Sequence, residues 1–271
     1  MKSVLLHIHD DTGSEGRLQA ACDIVRATSG HIHCVQVRSM PDFVGADMYG
    51  GASAAPQIMA ELREVDEKMR LRVEERLARE GVNWDWVHVE SDLVHGLLSA
   101  ATLADIILVT LPEQPRKHLR DPLNLAADLA LAGRTPVLAV PQAAKSLNVA
   151  GVALIAWDGS QEASTALRLA VPLLKLAEQV HVVTIEEQRK YAFPSTRACE
   201  YLSLHTIPSQ LHSEARKEGS VEDALMTAVR ALRPDWIVMG AFGHSRMREL
   251  AFGGVTRVML REAQVPLLLA H

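Results

Sequence analysis

The chain has 271 residues, 48% of them apolar, and a formal charge of -5, which is enough material for one large or two ordinary α/β cores. No basic patch or arginine-rich arm is there to hold nucleic acid, and no apolar run reaches the roughly 18 residues of a membrane helix. Cys22, Cys34 and Cys199 are odd in number and in no metal or redox spacing, which predicts reduced, buried thiols in a cytoplasmic protein.

In chain order, Met1 to Leu6 reads as the start of a strand rather than a signal peptide. The apolar run Val4 to Ile8 leads to Asp10, a Gly/Ser turn and a helical pattern; His31 to Val37 is a second strand. Met40 to Pro56, rich in Gly, Ala and Pro, reads as a loop. Met59 to Glu80 alternates charge at helical spacing, as a long exposed helix does. A third strand carries His88, Asp92 stands at an N-cap position, and Asp105 to Val109 and Thr135 to Val140 are further strands.

Alternate residues of a strand face one side, so His7, His9, His31 and His33 are placed to converge on a zinc ion. The competing reading is four histidines half-buried under helices, and the lack of a Cys or carboxylate to complete the set favours it.

The second half restarts the first. The spacing from Asp10 to Asp158 recurs from His33 to His181, while Asp105 to Asp235 and Pro136 to Pro266 share a shorter one. The first copy therefore has a longer middle, assigned to the Met40 to Pro56 stretch. The repeat is too long for a solenoid and predicts two domains, 1–145 and 146–271, with the boundary near Ala143 to Asn148. Each copy runs strand, helix, strand and so on through five short Val/Ile/Leu-rich strands, apolar on both faces, as in a parallel sheet between helices. Helices of the second copy are expected near Glu162 to Ala177, Val221 to Leu232 and Thr256 to Glu262, with Ser160 and Ser220 as N-caps. Trp157 either stacks on a base or packs the sheet edge. Glu186 and Glu187 read as solvated loop residues rather than a metal or base pair.

The stretch Met239 to Arg257 follows an apolar strand and precedes a helix. Its glycines let backbone N–H groups approach an anion, and the helix behind offers unpaired N–H groups and a positive dipole end. Arg246 and Arg248 either neutralise phosphate or remain solvated. Gly240, two residues, Gly243, nine residues and Gly253 resemble the universal stress protein loop, whose third glycine is followed by Ser or Thr. The resemblance covers the whole chain as a tandem pair and is tightest over 150–271.

The resemblance implies two tandem doubly wound five-stranded parallel sheets of the Rossmann-like, adenine nucleotide alpha hydrolase-like class. It also implies antiparallel association of the last strands, Pro136 to Val140 with Pro266 to Ala270, and allows a homodimer. Carried over residue by residue, it implies an adenine nucleotide, ATP with Mg2+, held by Asp158, Ile185, Met239, Gly240, Gly243, Gly253, Gly254, Val255 and Thr256. Gly254 stands where the family has Ser or Thr; it keeps the N–H and lacks the hydroxyl, a loss of about 1 kcal/mol for one hydrogen bond, unless Thr256 or Ser245 supplies it. The first copy has Thr110, Glu113, Leu123 and Asn124 at the loop positions, with Pro112, Pro115 and Pro122 between them, and is expected to bind no nucleotide there although Asp10 is kept.

The function expected is a cytoplasmic stress-response sensor or regulator, at most a slow ATPase, because the loop has no P-loop lysine or base. The alternative is an interaction or scaffold protein of the same fold without nucleotide. An adenylate-forming enzyme is disfavoured by the missing serine/glycine-rich loop of that class.

Overall fold

The computed structural model describes residues 1–38, 55–111, 125–186, 194–215, 220–243 and 254–271. The first half contributes β1 (Ser3–Ile8), α1 (Ser14–Thr28), β2 (His31–Arg38), α2 (Ala55–Glu80), β3 (Asn83–Glu90), α3 (Leu93–Ala100), β4 (Ile106–Leu111), α4 (Leu125–Ala132) and β5 (Val137–Pro141). The second contributes β6 (Val152–Ala156), α5 (Gln161–Leu174), β7 (Gln179–Glu186), α6 (Ser195–Leu204), β8 (Gln210–Ala215), α7 (Val221–Leu232), β9 (Trp236–Gly240), α8 (Gly254–Glu262) and β10 (Leu267–Ala270).

The strands form one sheet in the order β3-β2-β1-β4-β5-β10-β9-β6-β7-β8. All pairs are parallel except β5 with β10, which run antiparallel with Leu138 opposite Leu268. Each half would leave its last strand as an open edge; here each edge covers the other, which removes a template for aggregation. Residues 142–151 make the connection, and Leu147 and Val149 are buried on the core, with the Leu147 N–H donating to Asp23. The match of the two strand orders agrees with the repeat read from the sequence.

Strand alternation sorts the apolar side chains into two layers. Val4, Leu6, Ile32, Cys34, Leu108, Ile155, Val182 and Val238 pack under α1, α2, α5 and α6. Leu5, Val35, Ile107, Val109, Leu154, Val183, Ile237 and Leu269 pack under α3, α4, α7 and α8. Connections change face after β3 and again after β8, so β1/β4 and β6/β9 are the places where the winding reverses. In such sheets a crevice opens at the carboxyl ends of those strands.

Local signals work as read. Asp92 accepts from the His95 N–H, Ser160 from the Ala163 N–H, and Ser220 closes a capping box with Asp223. Three readings change. Helix α2 has 26 residues where α6 has 10, so much of the longer middle is helix, and Ala55 and Pro56 belong to it; residues 39–54 lie outside the described set. Strands β3 and β8 are the sheet's outer edges and are partly exposed, not apolar on both faces. Cys22 and Cys34 are buried but Cys199 is only half-buried; burial pushes the Cys22 thiol up to about 11 and raises that of Cys34, so neither is a reactive thiolate near neutral pH. Among the described residues no helix is long and apolar enough to cross a membrane.

Candidate functional site

The carboxyl ends of β9, β6 and β7 lie side by side, with Met239 level with Ala156 and Ala156 level with Val183. Just beyond them stand Gly240, Asp158 and Ile185. Asp158 is exposed at the mouth and its carboxylate accepts the Ser160 N–H at 2.9 Å, an Asx turn that aims the chain into α5. Ile185 is half-buried against the layer under α7 and α8.

Gly240 is there for contact. A Cβ on it would stand 2.5 Å from the Ala163 nitrogen and 2.7 Å from the Glu162 carbonyl carbon, because the first turn of α5 lies directly on the strand end. A Cβ on Gly243 would come nearest to Glu162 Oε2, at 2.9 Å, with Ser160 Cβ in ordinary contact at 3.5 Å. Between them Phe242 is buried with φ 60, a left-handed conformation that a bulky residue adopts only when held. Its N–H donates to Thr256 Oγ1 at 3.2 Å, so α8 holds the start of the loop. Thr256 is the third residue of α8 and buried, and its hydroxyl, by accepting the Phe242 N–H, ties loop to helix. Gly254 and Val255 open α8, Gly254 exposed and Val255 half-buried, and the Glu222 carboxylate reaches over Gly254. Trp157 is buried in the core and packs there rather than offering a stacking face. Gly253, Ser245, Arg246, Arg248 and Glu187 lie outside the described residues.

Seven of the nine residues carried over from the resemblance thus gather around the β6/β9 reversal or in the α8 turn joined to it, an eighth, Ile185, lies on the adjoining β7, and Gly253 is not described. Sequence reading missed the two carboxylates, Glu162 and Glu222. Each sits in a first helical turn and looks like dipole complementation; only the packing brings them to the loop.

The first half is built differently at the matching place. Thr110, counterpart of Gly240, hydrogen-bonds to Arg17 and to Asp11. The Arg17 guanidinium, 2% exposed, also donates to Asp11 Oδ2 at 2.7 Å and to the His9 carbonyl at 2.8 Å. Burial acts to raise the Asp11 carboxyl, but Arg17 beside it and donors from Thr110 and the Gly13 N–H outweigh burial and hold it below the usual carboxylate range. Asp10, retained from the repeat, pairs with Arg72 at 3.2 Å. Next to this network a cavity of about 160 Å³ opens between β1, α1 and α2, lined by His7, His9, Asp10, Arg17, Arg72 and Arg76 among others. The signal for Arg17 was present: a cation on the apolar stripe of α1, with an acid six residues before it.

His7 stacks parallel to His9 with ring centres 5.7 Å apart and is pushed down to about 3, first by burial and then by the positive charges of Arg17 and His9, against the pull of Asp11. Between that value and the ordinary imidazole range it is therefore neutral in the folded chain while an unfolded imidazole is charged, and stability is lost as pH falls through that window. Urea midpoints measured between pH 6 and 4 should show wild type losing about 1.4 kcal/mol per pH unit more than His7→Gln; equal slopes would contradict this placement of His7.

The four histidines do not converge. His31 and His33 lie level with Ser3 and Leu5, whereas His7 lies level with Val35. Asp85 on β3 joins His31 and His33, so a carboxylate does complete a set that the sequence reading left without one.

Residues 152–271 match the model of the universal stress protein family. A universal stress protein of Synechocystis sp. (strain ATCC 27184 / PCC 6803 / Kazusa) is 30% identical over 118 residues, 42% of this chain and 40% of that protein, so the match spans less than half of the relative's length. In fold, the chain is similar to a universal stress protein from Archaeoglobus fulgidus DSM 4304, with TM-score 0.76, 17% identity and coverage of 98% of this chain and 97% of that one. It is also similar to a protein from Pseudomonas aeruginosa UCBPP-PA14 that bears the same family description, with TM-score 0.60, 17% identity and coverage of 100% and 93%. The family match covers residues 152–271, so the second half of this chain is a universal stress protein domain, and the chain as a whole shares its fold with these solved structures.

Proposed function

We propose that this chain is a cytoplasmic stress-response protein whose second half, residues 146–271, binds an adenine nucleotide, ATP with Mg2+, and that the first, residues 1–145, is its structural partner. One observation carries the reading: Asp158, Ile185 and Gly240 stand together at the carboxyl ends of β6, β7 and β9, where the winding reverses and α5 and α8 begin. Asp158 and Ile185 would receive the adenosine, and Met239, Gly240, Gly243, Gly253 and the Gly254–Thr256 turn the phosphates. Sensing or regulation follows rather than fast turnover, since the loop sequence brings no P-loop lysine or base to the phosphates. In the first half the Arg17, Asp11 and Thr110 network fills the corresponding place.

The Glu222 carboxylate over Gly254 opposes an anion at the α8 amino terminus. In Mg2+-free buffer, Glu222→Gln should tighten nucleotide binding by roughly two- to fivefold, the effect of one charge at a helix end; unchanged affinity would put the phosphates elsewhere.

The same carboxylates, with Gly254 in place of a hydroxyl residue, favour a second reading: an interaction protein of this fold that takes no nucleotide. Releasing and identifying any small molecule from the denatured, freshly purified protein separates the two. ATP supports the first reading; nothing released, together with no binding on addition, supports the second.

A further inference from the structure

We propose that His31, His33 and Asp85 form a binding site for a divalent late-first-row transition metal, zinc being the reference ion, at the outer edge of the first half's sheet. In β2, His31 and His33 are two apart and so face one side of the sheet; the parallel register sets Asp85 of β3 directly beside His33. The Asp85 carboxylate lies 3.2 Å from His31 Nε2 and 3.1 and 3.0 Å from His33 Nδ1, and the potential ligand atoms all lie within 4.8 Å of one another. A tetrahedral zinc with bonds near 2.0–2.1 Å spaces its ligands by about 3.3 Å, so both imidazole-to-carboxylate spacings already approach what the ion needs. Two imidazoles and one carboxylate suit zinc, cobalt or iron(II) rather than calcium or magnesium.

The three side chains are partly exposed, at 39%, 36% and 49%. An ion would therefore reach them from solvent and keep coordination positions open for water or an outside ligand. Two strands locked in register hold the donors, so little ordering is needed on binding. The second half supplies a contrast within the same chain. His181, the repeat counterpart of His33, has Gln210 beside it in register, and its close partner is His212, whose Nε2 lies 3.1 Å from His181 Nδ1. No acidic residue joins that pair into a three-residue set among the described residues. The site also stands near the amino ends of β2 and β3, away from the carboxyl-end crevice, so it does not depend on nucleotide binding.

The test is titration of chelator-treated full-length protein with Zn2+ by calorimetry and with Co2+ by visible absorption. One ion per chain is expected, with tetrahedral or five-coordinate Co2+ bands. Asp85→Asn and His33→Ala should each weaken binding by roughly tenfold or more, while His9→Ala leaves it unchanged. Asp85→Asn preserves shape at a half-exposed position, and circular dichroism confirms that it is folded. Zn2+ should also raise the melting temperature of wild type and not of Asp85→Asn. Absence of binding at millimolar metal, or binding equal in wild type and both variants, overturns the proposal.

Discussion

Asp11→Ala should destabilise the folded chain by about 3 kcal/mol, the lower end of what removing one partner of a buried ion pair costs. Arg17 is 2% exposed, and its guanidinium is shared among Asp11, Thr110 and the His9 carbonyl. Take away Asp11 and a buried positive charge keeps only neutral acceptors, while the Gly13 N–H and the Thr110 hydroxyl each lose their acceptor. The size of the effect comes from the stranded cation, not from the favourable worth of the pair. Replacing both residues, as Arg17→Met with Asp11→Leu, should therefore recover most of the loss, because the desolvation of two charges goes with them. Urea unfolding of the single and double variants measures this directly. A single variant within about 0.5 kcal/mol of wild type would mean that water reaches Arg17.

Gly240→Val should cost about 2 kcal/mol, as overpacking typically does, and should also abolish the nucleotide binding proposed for the second half. The added Cβ would meet backbone, the Ala163 nitrogen at 2.5 Å and the Glu162 carbonyl carbon at 2.7 Å, so no rotamer relieves it. The first turn of α5 would have to lift off β9, taking with it the Ser160 cap and the turn that orients Asp158. Gly243→Ala is the control. Its one close contact would be with the end of the flexible Glu162 side chain, Ser160 Cβ being at an ordinary 3.5 Å, and its stability cost should stay within about 0.5 kcal/mol. Denaturation midpoints with ATP titration check both; a Gly240→Val chain as stable as wild type would show that α5 does not rest on the strand.

Much of the architecture could be read from residue order because the interior strands are fully buried. Burial on both faces forces unbroken runs such as Leu154-Ile155 and Ile237-Val238, and these stand out from any helical pattern. The caps at Asp92, Ser160 and Ser220 were legible because the determinant is local, a side-chain acceptor three residues ahead of an N–H. The central antiparallel pair followed from the resemblance and is present in the sheet.

What was missed depends on contacts between distant segments. Asp85 becomes part of a three-residue cluster only through the β2/β3 register. Arg17 stands on the apolar stripe of α1 with Asp11 close in sequence, but Thr110, 93 residues away, is brought to it only by the fold. Thr256 carries the right chemistry for phosphate, yet the buried Phe242 N–H beside it had no other way to read from the chain. Glu222 reaches Gly254 because α7 and α8 are neighbours, which their separation in sequence hides.

Calorimetric titration of ATP with Mg2+ into the full chain, run alongside Gly240→Val, tests the central claim most directly. Saturable binding of one nucleotide per chain in the micromolar to low millimolar range, lost in Gly240→Val and kept in Asp10→Ala, is the predicted result. No binding at several millimolar ATP, or binding lost in Asp10→Ala and kept in Gly240→Val, would contradict a nucleotide site in the second half.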